Sequence, residues 1–230
     1  MSIIRILHVD DEPDIREIVE MALGLSADFE MRACASGPDA IAMAAEWSPS
    51  LILLDVMMPG MDGPTTLAHL RKDPRTADIP VLFMTARAQA REVRNLIALG
   101  AQGVISKPFD PMTLAFSVRS HLRAIRFDTL RTMFVRRAKS EAGLLASCRA
   151  APADAATASR IRDIAHGLAG AAGLFGFDQI SSDAAALEQT IMLRLEGSGT
   201  ENDVTRALDR LLSGMEGEWA APPVRYRQFA

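Results

Sequence analysis

A chain of 230 residues is too long for one small compact domain and long enough for two, each able to bury its own core. With 49% apolar, 5% aromatic and 23% charged residues, it has the make-up of a globular protein and not of a disordered or fibrous one. The formal net charge of -4 is unevenly divided, 12 Lys/Arg against 16 Asp/Glu in residues 1–124 and 13 against 13 in residues 125–230, so net charge directs neither part to nucleic acid.

No run of about 18 apolar residues occurs, and the opening MSIIRILHVDDEPD turns acidic where a signal peptide would continue apolar; a cytoplasmic protein without a membrane span is the expectation. Cys34 and Cys148 stand far apart and outside any CxxC pattern, which implies neither a disulfide framework nor a zinc site and reads as two ordinary buried thiols.

From the start, short apolar runs alternate with segments of helical period: IIRILHV, IREIVEMALGL, MRACAS, AIAMAAEW, LILLDV, TTLAHLRK, VLFMTA, VRNLIALG, GVIS and MTLAFSVRSHLRAI. Five rounds of strand then helix predict an α/β doubly wound, five-stranded parallel sheet over residues 1–123. Leu51 to Leu54 and Val81 to Met84 are continuous apolar runs, the mark of central strands buried on both faces.

In such a sheet, ligands sit beyond the carboxyl ends of the strands. Asp10, Asp11 and Glu12 follow strand one, Asp55 ends strand three, Thr85 follows strand four and Lys107 follows strand five. Carboxylates so close together repel one another, and a hard cation with a preference for oxygen relieves the repulsion. Mg2+ suits the role because it needs few protein ligands and completes its octahedron with water and phosphate oxygens. The set fits phosphoryl transfer, in which Asp55 attacks phosphorus, Lys107 and the metal offset charge on the phosphoryl oxygens, and Thr85 donates a hydrogen bond. Helix capping alone explains Asp14 well and the whole set poorly.

The motifs VDDEPD, LLDVMMPGMDG, MTA and KPF, in this order, resemble those of the two-component response-regulator receiver, with the likeness running from residue 3 to about 122. The resemblance implies a flavodoxin-like fold, an aspartyl phosphate on Asp55, metal ligation by Asp11, Asp55 and the Met57 backbone carbonyl with Asp10 assisting, and a switch through Thr85. It also implies a cis peptide between Lys107 and Pro108, to which proline lends itself. Val104 stands where receivers often carry an aromatic residue, which implies a weakened or replaced coupling to Thr85.

Beyond residue 123 the strand-like runs stop. Ala/Leu-rich helices are expected at about 125–149, 155–175, 179–195 and 202–216, separated by turn signals at Ala151 to Asp154, Gly176 to Asp178 and Gly197 to Gly199. They predict an all-α antiparallel four-helix bundle over 124–216, followed by an extended or disordered tail at 217–230 in which Trp219, Tyr226 and Phe229 could pack. No flexible linker separates the parts, and the helix opening at Asp110-Pro111 is expected to run almost directly into the bundle.

Of the four histidines, His8, His69 and His121 have solvated or packed readings. His166 falls beside the apolar stripe of Ile161, Ile164, Ala165, Leu168, Ala172 and Phe175, so its imidazole should reach solvent. Gly167, Gly170 and Gly173 surround it, each at a cost of about 1 kcal/mol within a helix, which suggests either close approach of another surface or close packing within the bundle.

The run AHGLAGAAGLFGF resembles the signature of histidine phosphotransfer (HPt) domains, matching it at His166, Leu168, Gly170, Ala171, Ala172 and Gly176. The resemblance makes His166 the candidate phosphohistidine, and a neutral imidazole is a competent nucleophile at cellular pH. The signature lysine is replaced by Ala169, with Arg162 one turn earlier as a possible substitute.

The leading expectation is a cytoplasmic phosphorelay protein. Asp55 accepts a phosphoryl group from a sensor histidine kinase or HPt donor, and His166 exchanges phosphoryl groups with other response-regulator receivers, in trans because a short or helical connection works against transfer within the chain. The alternative is a phosphorylation-controlled receiver carrying a degenerate helical docking module. No GxxxxGK[ST] loop or kinase ATP domain is present. The basic stretch of Arg119, Arg123, Arg126, Arg131, Arg136, Arg137 and Lys139 reads as a solvated face or a dock for an acidic receiver in preference to a nucleic-acid surface. An exposed apolar stripe on either part would allow a homodimer.

Overall fold

The computed structural model describes residues 3–87, 89–150 and 154–220. The chain divides into two compact units, Met1–Arg126 and Phe127–Ala230. The division falls three residues beyond the boundary expected from sequence.

The first unit alternates strand and helix: β1 (Ile4–Val9), α1 (Pro13–Gly24), β2 (Phe29–Cys34), α2 (Gly37–Trp47), β3 (Leu51–Asp55), α3 (Gly63–Leu70), β4 (Val81–Thr85), α4 (Ala90–Ala98), β5 (Gly103–Ser106) and the start of α5 (Pro111–Ser147). All strand pairs are parallel, in the order β2-β1-β3-β4-β5. Every residue of β3 and β4 is buried, as their unbroken apolar runs require.

Because side chains alternate along a strand, each run feeds two cores. Leu7, Val9, Ile52, Leu54, Val81 and Phe83 pack on one face with Ala40, Ala44 and Trp47 of α2, Leu67 and Leu70 of α3, and Leu96 of α4. Ile6, Leu51, Leu53, Leu82, Met84 and Ile105 pack on the other with Val19 and Leu23 of α1 and with Leu114, Val118 and Leu122 of α5.

Local chemistry sets the helix starts. Ser36 accepts from Asp39 N at α2 and Asp62 from Thr65 N at α3, while prolines occupy the first turn of α1, α2 and α3. At α5 the Asp110 carboxylate accepts from Met112 N at 2.9 Å, and the helix continues without interruption to Ser147. Asp14 lies in the first turn of α1, where a negative charge meets the positive end of the helix dipole, but the cap position belongs to Glu12.

In the second unit, the later part of α5 is joined by α6 (Ala155–Ala172), α7 (Asp178–Leu195) and α8 (Glu201–Ala220). Residues at three- and four-residue spacing build one core: Ile161, Ala165, Leu168 and Ala172; Ile180, Ala184, Leu187 and Ile191; Val204, Leu208, Leu211 and Met215; with Ala138 and Leu145 of α5. Short connections, such as the Gly173–Phe175 turn with Gly176 at φ 76°, bring successive helices back on one another.

The end of α8 corrects the sequence reading. The helix does not stop at 216 but continues through Gly217 to Ala220, so the first four residues of the expected tail are helical. One glycine costs a helix only about 1 kcal/mol, too little for Gly217 to end it. Tyr226 and Phe229 lie outside the described residues.

Candidate functional site

Three strand ends bring the charged groups of the first unit together. Strand register sets Asp55 of β3 opposite Met84 of β4, and Thr85 opposite Ser106 of β5, next to Lys107. Lys107 Nζ lies 2.6 Å from Asp10 Oδ2 and 2.5 Å from Asp55 Oδ1, so one ammonium bridges two carboxylates. Asp10 is fully buried and Asp55 is 6% exposed. The remaining Asp55 oxygen, Oδ2, accepts from Met57 N at 2.6 Å.

Burial, against the opposing pull of Lys107 and the Met57 amide, holds the Asp55 carboxyl above the usual carboxylate range, and neighbouring Asp10 adds to the rise. For Lys107 the balance favours the charged form: burial opposes it, but its two carboxylate partners raise its pKa. Arg16 of α1 donates to the backbone carbonyls of Asp10 at 2.7 Å and Asp11 at 2.9 Å, fixing the turn after β1. The Thr85 hydroxyl accepts from Arg87 N at 3.0 Å, and the Lys107-Pro108 peptide is cis. Val104 packs against the core and is partly buried.

The acidic side chains brought together at this edge, those of Asp10 and Asp55, offer only oxygen donors. Among the described residues, no three acidic, histidine or cysteine side chains are placed to hold a metal ion together. Such an edge suits a hard ion that keeps most of its water, and the raised Asp55 carboxyl marks a charge cost that a cation offsets. His8, two residues before Asp10, is fully buried with neither ring nitrogen hydrogen-bonded to the protein, and burial pushes it down to about 4. It is a neutral core histidine.

Gly63, at the start of α3, closes the site from below. Its amide donates to Val56 O at 3.0 Å, and a Cβ there would lie 2.2 Å from the backbone oxygen of Asp55. Only glycine permits this approach of α3 to the end of β3.

In the second unit, α6 carries His166 on its solvent side, with its side chain 77% exposed. Nδ1 lies 3.0 Å from Glu188 Oε1 of α7. As the donor in that pair, Nδ1 holds the ring proton, which leaves the Nε2 lone pair for reaction. Sequence reasoning missed Glu188, whose only sequence signal is its place beside Leu187, at the edge of the apolar stripe of α7.

The neighbouring residues bear on two expectations. Arg162, the expected substitute cation, donates instead to Asp163 and to Ser159. Ala169 packs partly buried against the core, and its carbonyl accepts from Ser181 at 2.7 Å. A Cβ on Gly170 would meet nothing within 4 Å, so packing within the bundle does not account for that glycine.

A family model of the response regulator receiver domain matches residues 6–119, and a model of the Hpt domain matches residues 129–218. The DNA-binding dual master transcriptional regulator RpaA of Synechocystis sp. is 40% identical over 119 residues, which are 52% of this chain and 49% of that protein. Response regulator PleD of Caulobacter vibrioides is 42% identical over 120 residues, 52% of this chain and 26% of its own length. The chain thus spans about half or less of these curated relatives. Among solved structures, the chemotaxis response regulator CheY4 of Vibrio cholerae is 30% identical, covers 52% of this chain and 99% of its own, and gives a TM-score of 0.49. The chain belongs to the two-component response regulators, with a receiver domain followed by an Hpt domain.

Proposed function

We propose that this protein is a phosphorelay intermediate in which Asp55 of the receiver and His166 of the Hpt domain each carry a phosphoryl group, exchanged in trans with kinases, Hpt domains and receivers. One observation carries the reading furthest: the exposed His166 has its Nδ1 tied to Glu188, so Nε2 is the nitrogen left to react.

At the receiver, an Asp55 oxygen forms a P–O bond as the P–N bond of a donor phosphohistidine breaks and its electron pair returns to the donor imidazole. Lys107 already holds Asp55 and stays beside the charge that arrives. Thr85, at the end of β4, is the hydroxyl donor for a phosphoryl oxygen. Asp11, Asp55 and the Met57 carbonyl, with Asp10 beside them, would hold Mg2+, which supplies positive charge for the phosphoryl oxygens when bound. At the Hpt domain the reverse exchange puts the phosphoryl group on Nε2, while Glu188 balances the positive charge the imidazole gains.

Nucleic-acid binding forms no part of this reading. Arg119 pairs with Asp28, and Arg131 donates to Phe175 O and stacks over Phe177. Among the described residues, no helix is long and apolar enough to cross a membrane, and a cytoplasmic setting suits the exchange. Ala169 in place of lysine favours a second reading, a noncatalytic docking module.

One experiment separates the two readings. Receivers from the source organism, and this chain with His166→Gln, are loaded with radiolabelled acetyl phosphate and mixed with the chain carrying Asp55→Asn. Acid-labile, alkali-stable label on that chain, lost when His166→Gln is added to it, is the expected result. Failure with every donor, while Asp55 still accepts label, leaves the docking module.

A further inference from the structure

The Hpt site has an imidazole and a carboxylate but lacks the signature cation on its own helix. Phosphoryl transfer to a neutral imidazole brings additional negative charge to an exposed helix face, and transfer is fast only where positive charge meets the phosphoryl oxygens. Ala169 supplies none, and Arg162 is engaged by Asp163 and Ser159.

A cation reaches this face from α5. A Cβ built at Gly167, the residue after His166, would lie 3.3 Å from Arg137 Nη2. The guanidinium therefore lies in close contact with the point where a side chain at 167 would begin. Residue 167 lies about 100° around the helix from 166, and Glu188 holds the imidazole from α7. Glutamate from α7 thus meets His166 itself, and arginine from α5 meets the residue next to it in sequence. Glu141 fixes Arg137 by accepting from Nε at 2.7 Å, and among the described residues neither Nη donates a hydrogen bond. The Arg137 side chain is 68% exposed, so a docked donor does not have to uncover it.

We propose that Arg137 is the phosphoryl-binding cation of the Hpt site, taking from α5 the role that a lysine at position 169 would fill, and that Gly167 is glycine to admit its guanidinium. The inference rests on the reading of His166 as the phosphoacceptor. In the step it serves, the Nε2 lone pair forms the N–P bond as the acyl P–O bond of the donor aspartyl phosphate breaks, its electrons leaving with the donor carboxylate. The Nδ1 proton stays shared with Glu188. The Nη groups donate to the equatorial phosphoryl oxygens throughout, a planar fork suited to two oxygens at once.

The test uses the full chain with Asp55→Asn as acceptor and receivers loaded with radiolabelled acetyl phosphate as donors. Arg137→Gln is expected to slow labelling of His166 at least about tenfold, with Arg137→Lys retaining much of the rate and Arg162→Gln leaving it unchanged. Gly167→Ala, which crowds the guanidinium and improves helix propensity, is expected to slow labelling without lowering the melting temperature, an effect that no purely structural role of Gly167 produces. Adding Ala169→Lys to Arg137→Gln is expected to restore transfer. Labelling of Arg137→Gln at the parental rate overturns the assignment while leaving His166 as the acceptor. Absence of label on the parental acceptor from every donor overturns the reading of His166 itself, and this inference with it.

Discussion

Gly63→Ala tests whether the fold positions Asp55, the proposed receiver nucleophile, through one close approach. The added methyl would sit 2.2 Å from the Asp55 backbone oxygen and 3.0 Å from both Val56 Cα and Phe83 Cε1. Two of the three obstacles are backbone of β3 and its exit, so no side-chain rotation clears them, and α3 must move by about 1 Å to restore contact distances. Overpacking costs about 1–3 kcal/mol. The gain from replacing glycine offsets about 0.4–1 kcal/mol of that, leaving a net loss of about 1.3 kcal/mol. For a unit of this size each kcal/mol shifts the melting temperature by about 4 °C, so a fall of about 5 °C is expected in thermal unfolding followed by circular dichroism. A displacement of about 1 Å at a nucleophile can cost 10²-fold in rate, so Asp55 labelling by acetyl phosphate should slow at least tenfold. Gly24→Ala is the control: nothing lies within 4 Å of its added methyl, and its stability should hold or rise. Equal stability and equal labelling of Gly63→Ala and the parent would refute the argument.

Other consequences can be checked with the same assays. Asp55→Asn should abolish receiver labelling and stabilise the chain at neutral pH. Burial raises the Asp55 carboxyl, so the fold favours its neutral form, and the stability this gives at low pH is lost as pH rises from the unfolded value of 3.8 through the folded one; a variant less stable than the parent in urea at pH 7 contradicts this. His8→Leu should raise stability by about 1–2 kcal/mol, since both ring nitrogens are buried without a hydrogen-bond partner and Nε2 is 3.7 Å from Asp10 Oδ2, and an unchanged or lower urea midpoint tells against it. Glu188→Gln keeps an acceptor for His166 Nδ1 but removes the charge that balances the imidazolium; labelling of His166 should slow several-fold, and Glu188→Ala should slow it further.

Much of the first unit was legible because its signals are local. Continuous apolar runs at Leu51–Leu54 and Val81–Met84 have one low-energy home, the centre of a parallel sheet, and once they are placed there the topology carries Asp10, Asp55 and Lys107 to one edge. The unbroken α5 was legible too, since Asp110 and Pro111 start a helix and no glycine or proline follows until Gly143. What sequence did not show depends on how helices are rotated about their axes. Arg162 stands one turn from His166, a good position on paper, yet Asp163 beside it takes its guanidinium. Glu188 and Arg137 lie 22 and 29 residues from His166, and no periodicity places Glu188 beside it or Arg137 against Gly167; only the packed core, with Leu187 and Ala138 turned inward, fixes their directions.

The two sites also differ in relief, and the difference bears on which exchanges are open to each. Asp55 is recessed, 6% exposed at the end of a strand with Lys107 across its carboxylate, whereas His166 stands 77% exposed on a helix whose neighbouring Gly170 leaves its face open. In-line transfer requires the attacking and leaving atoms to come within about 3–3.5 Å of a shared phosphorus. Two recessed carboxylates cannot approach so closely without unfolding the loops around them, and each would bring negative charge to the other. An imidazole projecting from a helix can enter a recessed edge, and it arrives neutral. Exposure and charge therefore favour exchange between a histidine of one kind of domain and an aspartate of the other, and disfavour aspartate-to-aspartate transfer. Mixing the chain labelled at Asp55 and carrying His166→Gln with a second receiver that lacks any Hpt domain should accordingly pass no label, while adding the Asp55→Asn chain should open the route. Direct passage of label between the two receivers would show that depth and charge at the aspartate edge do not set the order of transfer.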